Sequence, residues 1–151
     1  GSDTDDGRSV IGYILYFMGV PITWKSKTMT RVSLSSTEAE YCAASELVKE
    51  VKYVMQILEH LHIEVELPVD IFMDNIGAIF MARNNSSGTG TRHINMRYHY
   101  CEVHGKLINL IFVKSADNEA DLMTKNPTSA EHNLHAPKLV AEVPDDLCPK
   151  N

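Results

Sequence analysis

Acidic side chains at three separated positions are the residues of this sequence best suited to chemistry. Glu38 follows a run of serines and a threonine, Asp74 follows the apolar segment 69–73, and Asp121 lies in the acidic segment 115–125. Each acid taken alone is more often a helix cap or a solvated charge. Carboxylates repel one another, so a fold that gathers them normally does so to hold a hard cation through oxygen ligands. These positions lie far apart in the chain, so only the fold can bring them together.

A long helix over about 36–61 would position the first of these acids. A serine or threonine within 35–37 can cap its first turn, and the helix dipole favours Glu38 and Glu40 near that end. Apolar residues then recur at helical spacing, which predicts one face packed on a core. They are Ala44, Leu47, Val48, Val51, Val54, Met55 and Leu58.

Alternating strands and helices are predicted for the rest of the chain. Two apolar runs around the turn at 19–21 indicate an antiparallel hairpin, and Asp74 falls at the carboxyl end of a strand, where sites gather in α/β sheets. Later strands joined by helices should be parallel, which gives an α/β fold around a mixed sheet. The predicted strands are 10–18, 20–26, 28–35, 69–74 and 107–113, and the further helices are 75–83, 93–104 and 115–125.

Composition places the chain among soluble globular proteins of one domain. The sequence has 151 residues, of which 44% are hydrophobic and 23% charged, enough to bury a core. It contains no apolar run near the roughly 20 residues of a membrane helix and no secretory signal, so no membrane partner is expected. Its three cysteines, Cys42, Cys101 and Cys148, are widely spaced, which favours a reducing compartment. An intracellular location, cytoplasmic or nuclear, is therefore predicted.

The net charge of −6 limits the part that nucleic acid can play. A protein that grips a phosphate backbone usually carries a basic face, because Lys and Arg release condensed counterions on binding. Binding to nucleic acid would therefore be weak, sensitive to salt, and assisted by a metal or by neighbouring domains. Scattered solvated charge remains the alternative. The local basic residues are Lys25, Lys27, Arg31, Arg83, Arg92, His93, Arg97 and His99.

Several short motifs, in this order and spacing, resemble the ribonuclease H domain at the end of the polyprotein of copia-type long-terminal-repeat retrotransposons. The resemblance covers about residues 7–125. Together the motifs are a specific signature of this family, because the combination is hard to obtain by chance. They are GRSVIGYILYFMGVPITWKSK (7–27), SLSSTEAEY (33–41), MDN (73–75) followed by AI (78–79), TRHI (91–94) and ADNEADLMTK (116–125).

The resemblance implies a ribonuclease H-like fold, with a mixed five-stranded sheet flanked by helices. It also implies cleavage of the RNA strand of an RNA–DNA hybrid by hydrolysis with two Mg²⁺ or Mn²⁺ ions, which activate a water and steady the leaving oxygen. Carried over by motif, the metal ligands and catalytic residues are Glu38, Asp74 and Asp121. Glu40 matches a recurrent residue of the family, but the metal is assigned to Glu38.

Basic side chains near the motifs are the candidate contacts to the hybrid. The groove for the substrate flanks the metals in this fold, and each candidate could equally be a solvated charge. For His93, a structural role is at least as good an interpretation. The candidates are Lys25, Lys27, Arg92, His93 and Arg97.

The start of the chain departs from the family pattern. The family carries its first catalytic aspartate on a central strand that precedes the equivalent of GRSVIGY, where this sequence has GSDTDD. Asp3, Asp5 and Asp6 align with the polar turn after that strand. The first strand is therefore expected to be lacking or replaced, which leaves an open slot with unpaired backbone groups. The segment 139–143, a protein partner, or a strand-exchanged dimer could fill it.

The domain organisation follows from these observations. Residues 1–125 are predicted to form the ribonuclease H-like domain, with a flexible start over 1–9, and 126–151 a docked or disordered tail. An active nuclease and a catalytically defective fragment that binds protein or nucleic acid both remain open. An unrelated α/β protein whose carboxylates are structural is a third hypothesis.

Overall fold

Strands and helices alternate along the described part of the chain. The computed structural model describes residues 8–30, 32–33, 35–83, 106–124 and 129–139. The strands are β1 (Val10–Phe17), β2 (Val20–Thr28), β3 (Val69–Met73) and β4 (Ile108–Phe112). The helices are α1 (Ser36–His60), α2 (Ile76–Arg83) and α3 (Ser129–Leu139), and two 3₁₀ turns span Ser115–Asp117 and Glu119–Met123.

β1 and β2 form the predicted antiparallel hairpin. Phe17 pairs with Val20, and both residues of the turn between them have positive φ, 52° at Met18 and 80° at Gly19. Positive φ at both central residues is the geometry of a type I′ turn, whose twist matches that of the flanking strands. The hairpin prediction is confirmed.

The third strand predicted over 28–35 is wrong for the residues that the structure describes. β2 ends at Thr28, and the N–H of Met29 donates to the Ser9 carbonyl at 2.8 Å, which closes the hairpin. Val32 is then 60% exposed, so the segment has no core to pack on. Ser35 instead caps α1, since its Oγ accepts from the N–H of Glu38 at 3.2 Å.

Helix α1 confirms the prediction for 36–61 and joins two separate apolar clusters. Its N-terminal part packs Ala39 and Ala43 on Ile11 of β1. A larger cluster combines residues of α1, α2, β3 and β4 around the fully buried Val48. The buried members of that cluster are Tyr41, Ala44, Val48, Ile71, Met73, Ala78, Ile79, Ala82, Ile108 and Leu110. Among the described residues, no helix combines the length and the hydrophobicity needed to cross a membrane.

β3 and β4 form a parallel pair, as the sequence predicted. Val69 pairs with Ile108 and Met73 with Phe112. A parallel pair needs a long crossover connection, and here the chain passes through α2, which confirms the helix predicted over 75–83. The predicted helix 93–104 lies outside the described residues.

The helix predicted over 115–125 is present in the described residues as two short 3₁₀ segments and not as one continuous helix. Two 3₁₀ turns stand there, separated by Asn118, whose backbone is extended at φ −85° and ψ 101°. The Asn118 Oδ1 accepts from the N–H of Ala120 at 3.2 Å. Asparagine competes for backbone hydrogen bonds in this way, and it therefore interrupts the helix and caps the next turn.

Helix α3 lies in the segment that the sequence assigned to a tail. His135 is 4% exposed, and its Nε2 lies 3.0 Å from the Ala116 carbonyl oxygen. The helix therefore docks on the first 3₁₀ turn, next to the end of β4.

The described residues form a mixed α/β structure with two sheets of two strands each, β1–β2 and β3–β4. The α/β prediction is confirmed at this level.

Gly12 is the point at which β1 meets the second 3₁₀ turn. A Cβ atom at this position would lie 2.7 Å from Thr124 Cγ2 and 2.8 Å from Met123 Cβ. We expect Gly12→Ala to lower the free energy of unfolding by about 1–3 kcal/mol, because the turn must move to make room. Chemical denaturation measures this loss.

Gly77→Ala is the matched control for Gly12→Ala. A Cβ at Gly77 would lie 3.1 Å from Asn75 Oδ1 and 3.2 Å from Thr37 Cγ2, so its cost should be smaller. Equal losses in the two variants would contradict close packing of the turn on β1.

Candidate functional site

A cavity of about 650 Å³ separates the two sheets. We call it the inter-sheet cleft. Five consecutive residues of β1, 12–16, and all five of β3, 69–73, line it. Side chains of a strand alternate between its faces, so a cavity touching every residue in a run lies along the strand's edge. The other lining residues are Glu40, Ala43, Ala44, Leu47, Val51, Val113, Asp117, Asn118, Glu119, Ala120, Asp121 and Thr124.

Asp74 stands at the carboxyl end of β3, directly after the cleft-lining Met73. The Ser115 hydroxyl lies 2.6 Å from Asp74 Oδ2 and donates to it. The N–H of Val113 donates to the Met73 carbonyl at 2.9 Å, which brings the first 3₁₀ turn to this strand end. The parallel pairing of β3 and β4 therefore sets where the Asp74 carboxylate lies.

The start of α1, which carries Glu38, is held against the same strand end. Thr37 Oγ1 lies 3.4 Å from Asn75 Oδ1 and donates to it, and the N–H of Ala78 donates to the same oxygen at 3.0 Å. Asn75 thus caps α2 and contacts the first turn of α1. One amide side chain joins the two helices next to Asp74.

Asp121 is placed by the hairpin. The Tyr16 hydroxyl donates to the Glu119 carboxylate, and Ser26 Oγ donates to the Met123 carbonyl at 2.5 Å. Burial, together with the bond to Glu119, raises the pKa of Tyr16 above its ordinary value. These contacts hold the second 3₁₀ turn over β1, so that Asp121 lines the inter-sheet cleft.

Glu40, rather than Glu38, is the α1 glutamate that lines the cleft. The metal ligand predicted from the motif, Glu38, does not line the cleft. A signal was present in the spacing, because Glu40 shares a helix face with Ala43, Ala44 and Leu47, which also line the cleft. Glu38 is offset from Glu40 by two residues, or about 200° around the helix.

The donor set suits Mg²⁺ chemically, because carboxylate oxygens are its preferred ligands. However, no group of three or more His, Cys, Asp or Glu side chains in the described segments could hold a metal ion. Glu38, Asp74 and Asp121 therefore do not form a ligand set with one another. The described residues alone do not make a complete metal site.

Lys25 and Lys27 lie on β2. Lys25 Nζ is 3.8 Å from Glu46 Oε2 and 6.0 Å from the centre of the Tyr13 ring. Glu46 lies eight residues after Glu38, or about 12 Å along the helix, so this lysine stands well away from the start of α1. Lys27 is exposed.

Burial of Tyr13, together with the charges of Glu50 and Glu46, raises the pKa of its hydroxyl to about 12. This tyrosine and Lys25 belong to one polar contact between the hairpin and α1. The other predicted contacts to the substrate, Arg92, His93 and Arg97, lie outside the described residues.

Comparison with known proteins identifies the relatives of this chain. It is 35% identical over 125 residues to the retrovirus-related Pol polyprotein from transposon RE2 of Arabidopsis thaliana. The chain belongs to the family of Pol polyproteins of copia-type transposons. The matches to Pol polyproteins from transposon TNT 1-94 of Nicotiana tabacum and RE1 of Arabidopsis thaliana are 34% identical over 125 residues and 33% over 145.

These matches cover 82% of the chain for RE2 and TNT 1-94 and 94% for RE1. The chain in turn spans only 9–10% of the length of these Pol polyproteins. No protein-family model matches it. No solved structure matches it.

Proposed function

We propose that the chain is the ribonuclease H-like part of a Pol polyprotein and that it hydrolyses the RNA strand of RNA–DNA hybrids with Mg²⁺ or Mn²⁺. The homology to Pol polyproteins supports an origin in a transposon. The carboxylate motifs point to the ribonuclease H part of such a polyprotein. In the complete fold, a strand between β1 and β3 would join the two sheets into a single sheet of five strands.

The observation that carries the proposal is the arrangement of carboxylates around the inter-sheet cleft. Glu40 and Asp121 line it, and Asp74 follows directly after the lining residue Met73. They come from a helix, a 3₁₀ turn and a strand end, so the fold converges acidic groups that are far apart in sequence. Hydrolysis assisted by divalent cations needs carboxylates supplied by separate elements to one cleft, and these three acids supply part of such a site without forming a ligand set by themselves.

Cleavage of a hybrid labelled separately on each strand tests the proposal. We expect the RNA strand of the hybrid to be cut in Mg²⁺ or Mn²⁺, with single-stranded RNA and the DNA strand left intact. Cleavage should stop when EDTA removes the metal and resume when metal is restored. A folded chain, verified by circular dichroism, that cuts in neither metal would overturn the proposal.

A second candidate function is that of a catalytically defective module that binds nucleic acid. It is favoured by the finding that no three metal-ligating side chains come together among the described residues. It predicts that the folded chain binds the RNA–DNA hybrid without cutting it, with an affinity that falls as salt rises. Fluorescence anisotropy with a labelled hybrid measures this, and absence of binding at low salt would exclude it.

A further inference from the structure

We propose that helix α3 positions the Asp74 carboxylate by holding the first 3₁₀ turn, and that His135 and Ser115 are positioning residues of the candidate site. Two contacts carry the proposal: His135 bonds to the backbone of this turn, and Ser115 in the same turn bonds to Asp74. The role in cleavage rests on the proposed function, whereas the coupling of α3 to Asp74 is tested without it.

The first 3₁₀ turn, Ser115–Asp117, is not held in place by burial, because none of its residues is buried. The N–H of Asp117 donates to the Lys114 carbonyl at 2.8 Å, and the N–H of Asn118 donates to the Ser115 carbonyl at 3.2 Å. A 3₁₀ turn has poorer hydrogen-bond geometry than a turn of α-helix. The position of this turn therefore depends on the elements that bond to it from outside.

His135 is the anchor that α3 supplies to this turn. Its side chain is 4% exposed, and its Nε2 lies 3.0 Å from the Ala116 carbonyl oxygen. A carbonyl oxygen can only accept a hydrogen bond, so Nε2 carries the hydrogen and donates it. Nδ1 has no hydrogen-bond partner among the described residues. Within that part of the chain, the bond to Ala116 is therefore the contact that offsets the burial of this imidazole.

The docking of α3 depends on His135 more than on apolar packing. Among the α3 side chains that the structure describes, His135 is the only buried one, and Leu134 is 56% exposed. The helix also contacts the second 3₁₀ turn, which carries Asp121. A docked α3 therefore holds two turns next to each other, one bonded to Asp74 and the other carrying Asp121.

The Ser115 hydroxyl connects the position of the turn to the site. It donates to Asp74 Oδ2 at 2.6 Å, a short bond of the kind that a carboxylate acceptor forms with a hydroxyl. The bond engages one of the two carboxylate oxygens and limits rotation of the group. Where such a supporting contact orients a functional carboxylate, its removal lowers activity about 10- to 100-fold.

The carboxyl carbon of Asp74 reports the coupling directly, without metal, substrate or cleavage. In the full chain labelled with ¹³C at aspartate carboxyls, the Asp74 resonance is identified by its loss in Asp74→Asn. At one fixed pH and in EDTA, we expect Ser115→Ala to shift this resonance and His135→Ala to shift it in the same direction. The Asp70 resonance is the internal control and should not move, since its carboxylate bonds to Asn109 on the neighbouring strand.

His135→Gln is the matched variant for His135→Ala. Its amide nitrogen can donate to the Ala116 carbonyl as Nε2 does, so the Asp74 resonance should stay close to its wild-type position. Both variants should fold, because α3 contributes no residue to the two apolar clusters, and circular dichroism verifies this. An Asp74 resonance that does not move in folded His135→Ala would overturn the proposal.

A double-mutant cycle measures the same coupling in cleavage. We expect the single-turnover rate to fall about 10- to 100-fold in Ser115→Ala and about 3- to 10-fold in His135→Ala, with binding of the hybrid unchanged. Because His135 acts through Ser115, adding His135→Ala to Ser115→Ala should lower the rate no further. Losses that multiply would show two independent effects and would overturn the proposal.

Ser115→Thr separates the hydroxyl from the shape of the turn. Threonine keeps the donor to Asp74, so we expect a rate close to that of the wild-type chain. A loss equal to that of Ser115→Ala would contradict positioning by the hydroxyl. If the folded wild-type chain cuts no hybrid, the proposed function fails, and the Asp74 resonance still decides whether α3 positions this carboxylate.

Discussion

Replacing Asp74 with asparagine is expected to lower the rate of hybrid cleavage by at least about 100-fold, more than a change in a ligand's supporting contacts produces. The substitution removes the negative charge at the end of β3 and keeps the size of the side chain. Asparagine Oδ1 can still accept from Ser115, whose hydroxyl lies 2.6 Å from Asp74 Oδ2. The fold should therefore survive. Single-turnover cleavage in Mg²⁺ measures the effect.

Asp70→Asn is the matched control for Asp74→Asn. Asp70 lies on the same strand and also borders the inter-sheet cleft, but its exposed carboxylate is engaged by Asn109, whose Nδ2 donates to it at 3.0 Å. The same change of charge, one strand-length away from the carboxyl end, should leave the cleavage rate nearly unchanged. Equal losses in the two variants would show a general effect of charge on substrate binding and would remove Asp74 from the proposed site.

Glu40→Gln and Glu38→Gln separate the two glutamates at the start of α1. We expect Glu40→Gln to reduce cleavage on the order of 100-fold, because Glu40 lines the inter-sheet cleft together with Asp121. Glu38→Gln should reduce cleavage much less. Glu38 lies in the first turn, where its backbone N–H donates to Ser35 and its negative charge interacts favourably with the helix dipole.

The two measurements for this pair are the cleavage rate and the melting temperature. Glu38→Gln should lower the melting temperature slightly through the lost interaction with the helix dipole, whereas Glu40→Gln should act on cleavage. A large loss of cleavage in Glu38→Gln with none in Glu40→Gln would restore the assignment made from the sequence motif alone. It would also show that lining the cleft does not identify the functional carboxylate.

Local patterns were sufficient to predict most of the elements. The stripe from Ala44 to Leu58 and the caps at 35–37 gave α1 within one residue of its end at His60. The turn at Gly19 gave the hairpin. One continuous helix was predicted over 115–125 because the acidic and apolar residues of this segment suit a helix. The helix is interrupted because the side chain of Asn118 bonds to the backbone.

The site was harder to predict than the elements. Asp74 follows from its place at the end of a short apolar strand, a signal that needs no knowledge of packing. The choice between Glu38 and Glu40 depends on which helix face meets the cleft, and that depends on how β1 and β3 sit on α1. The contacts of Ser115 with Asp74 and of His135 with Ala116 join segments distant in sequence. No local pattern encodes them.

The separation of the two sheets has a consequence for the way the chain unfolds. In the described structure β1–β2 and β3–β4 share no ladder of hydrogen bonds, and α1 is packed against both. We therefore expect the hairpin to detach while the cluster around Val48 stays intact, which would divide the described residues into two cooperative units. A single unfolding free energy would then describe neither unit, until a strand in the cleft links their hydrogen bonds into one.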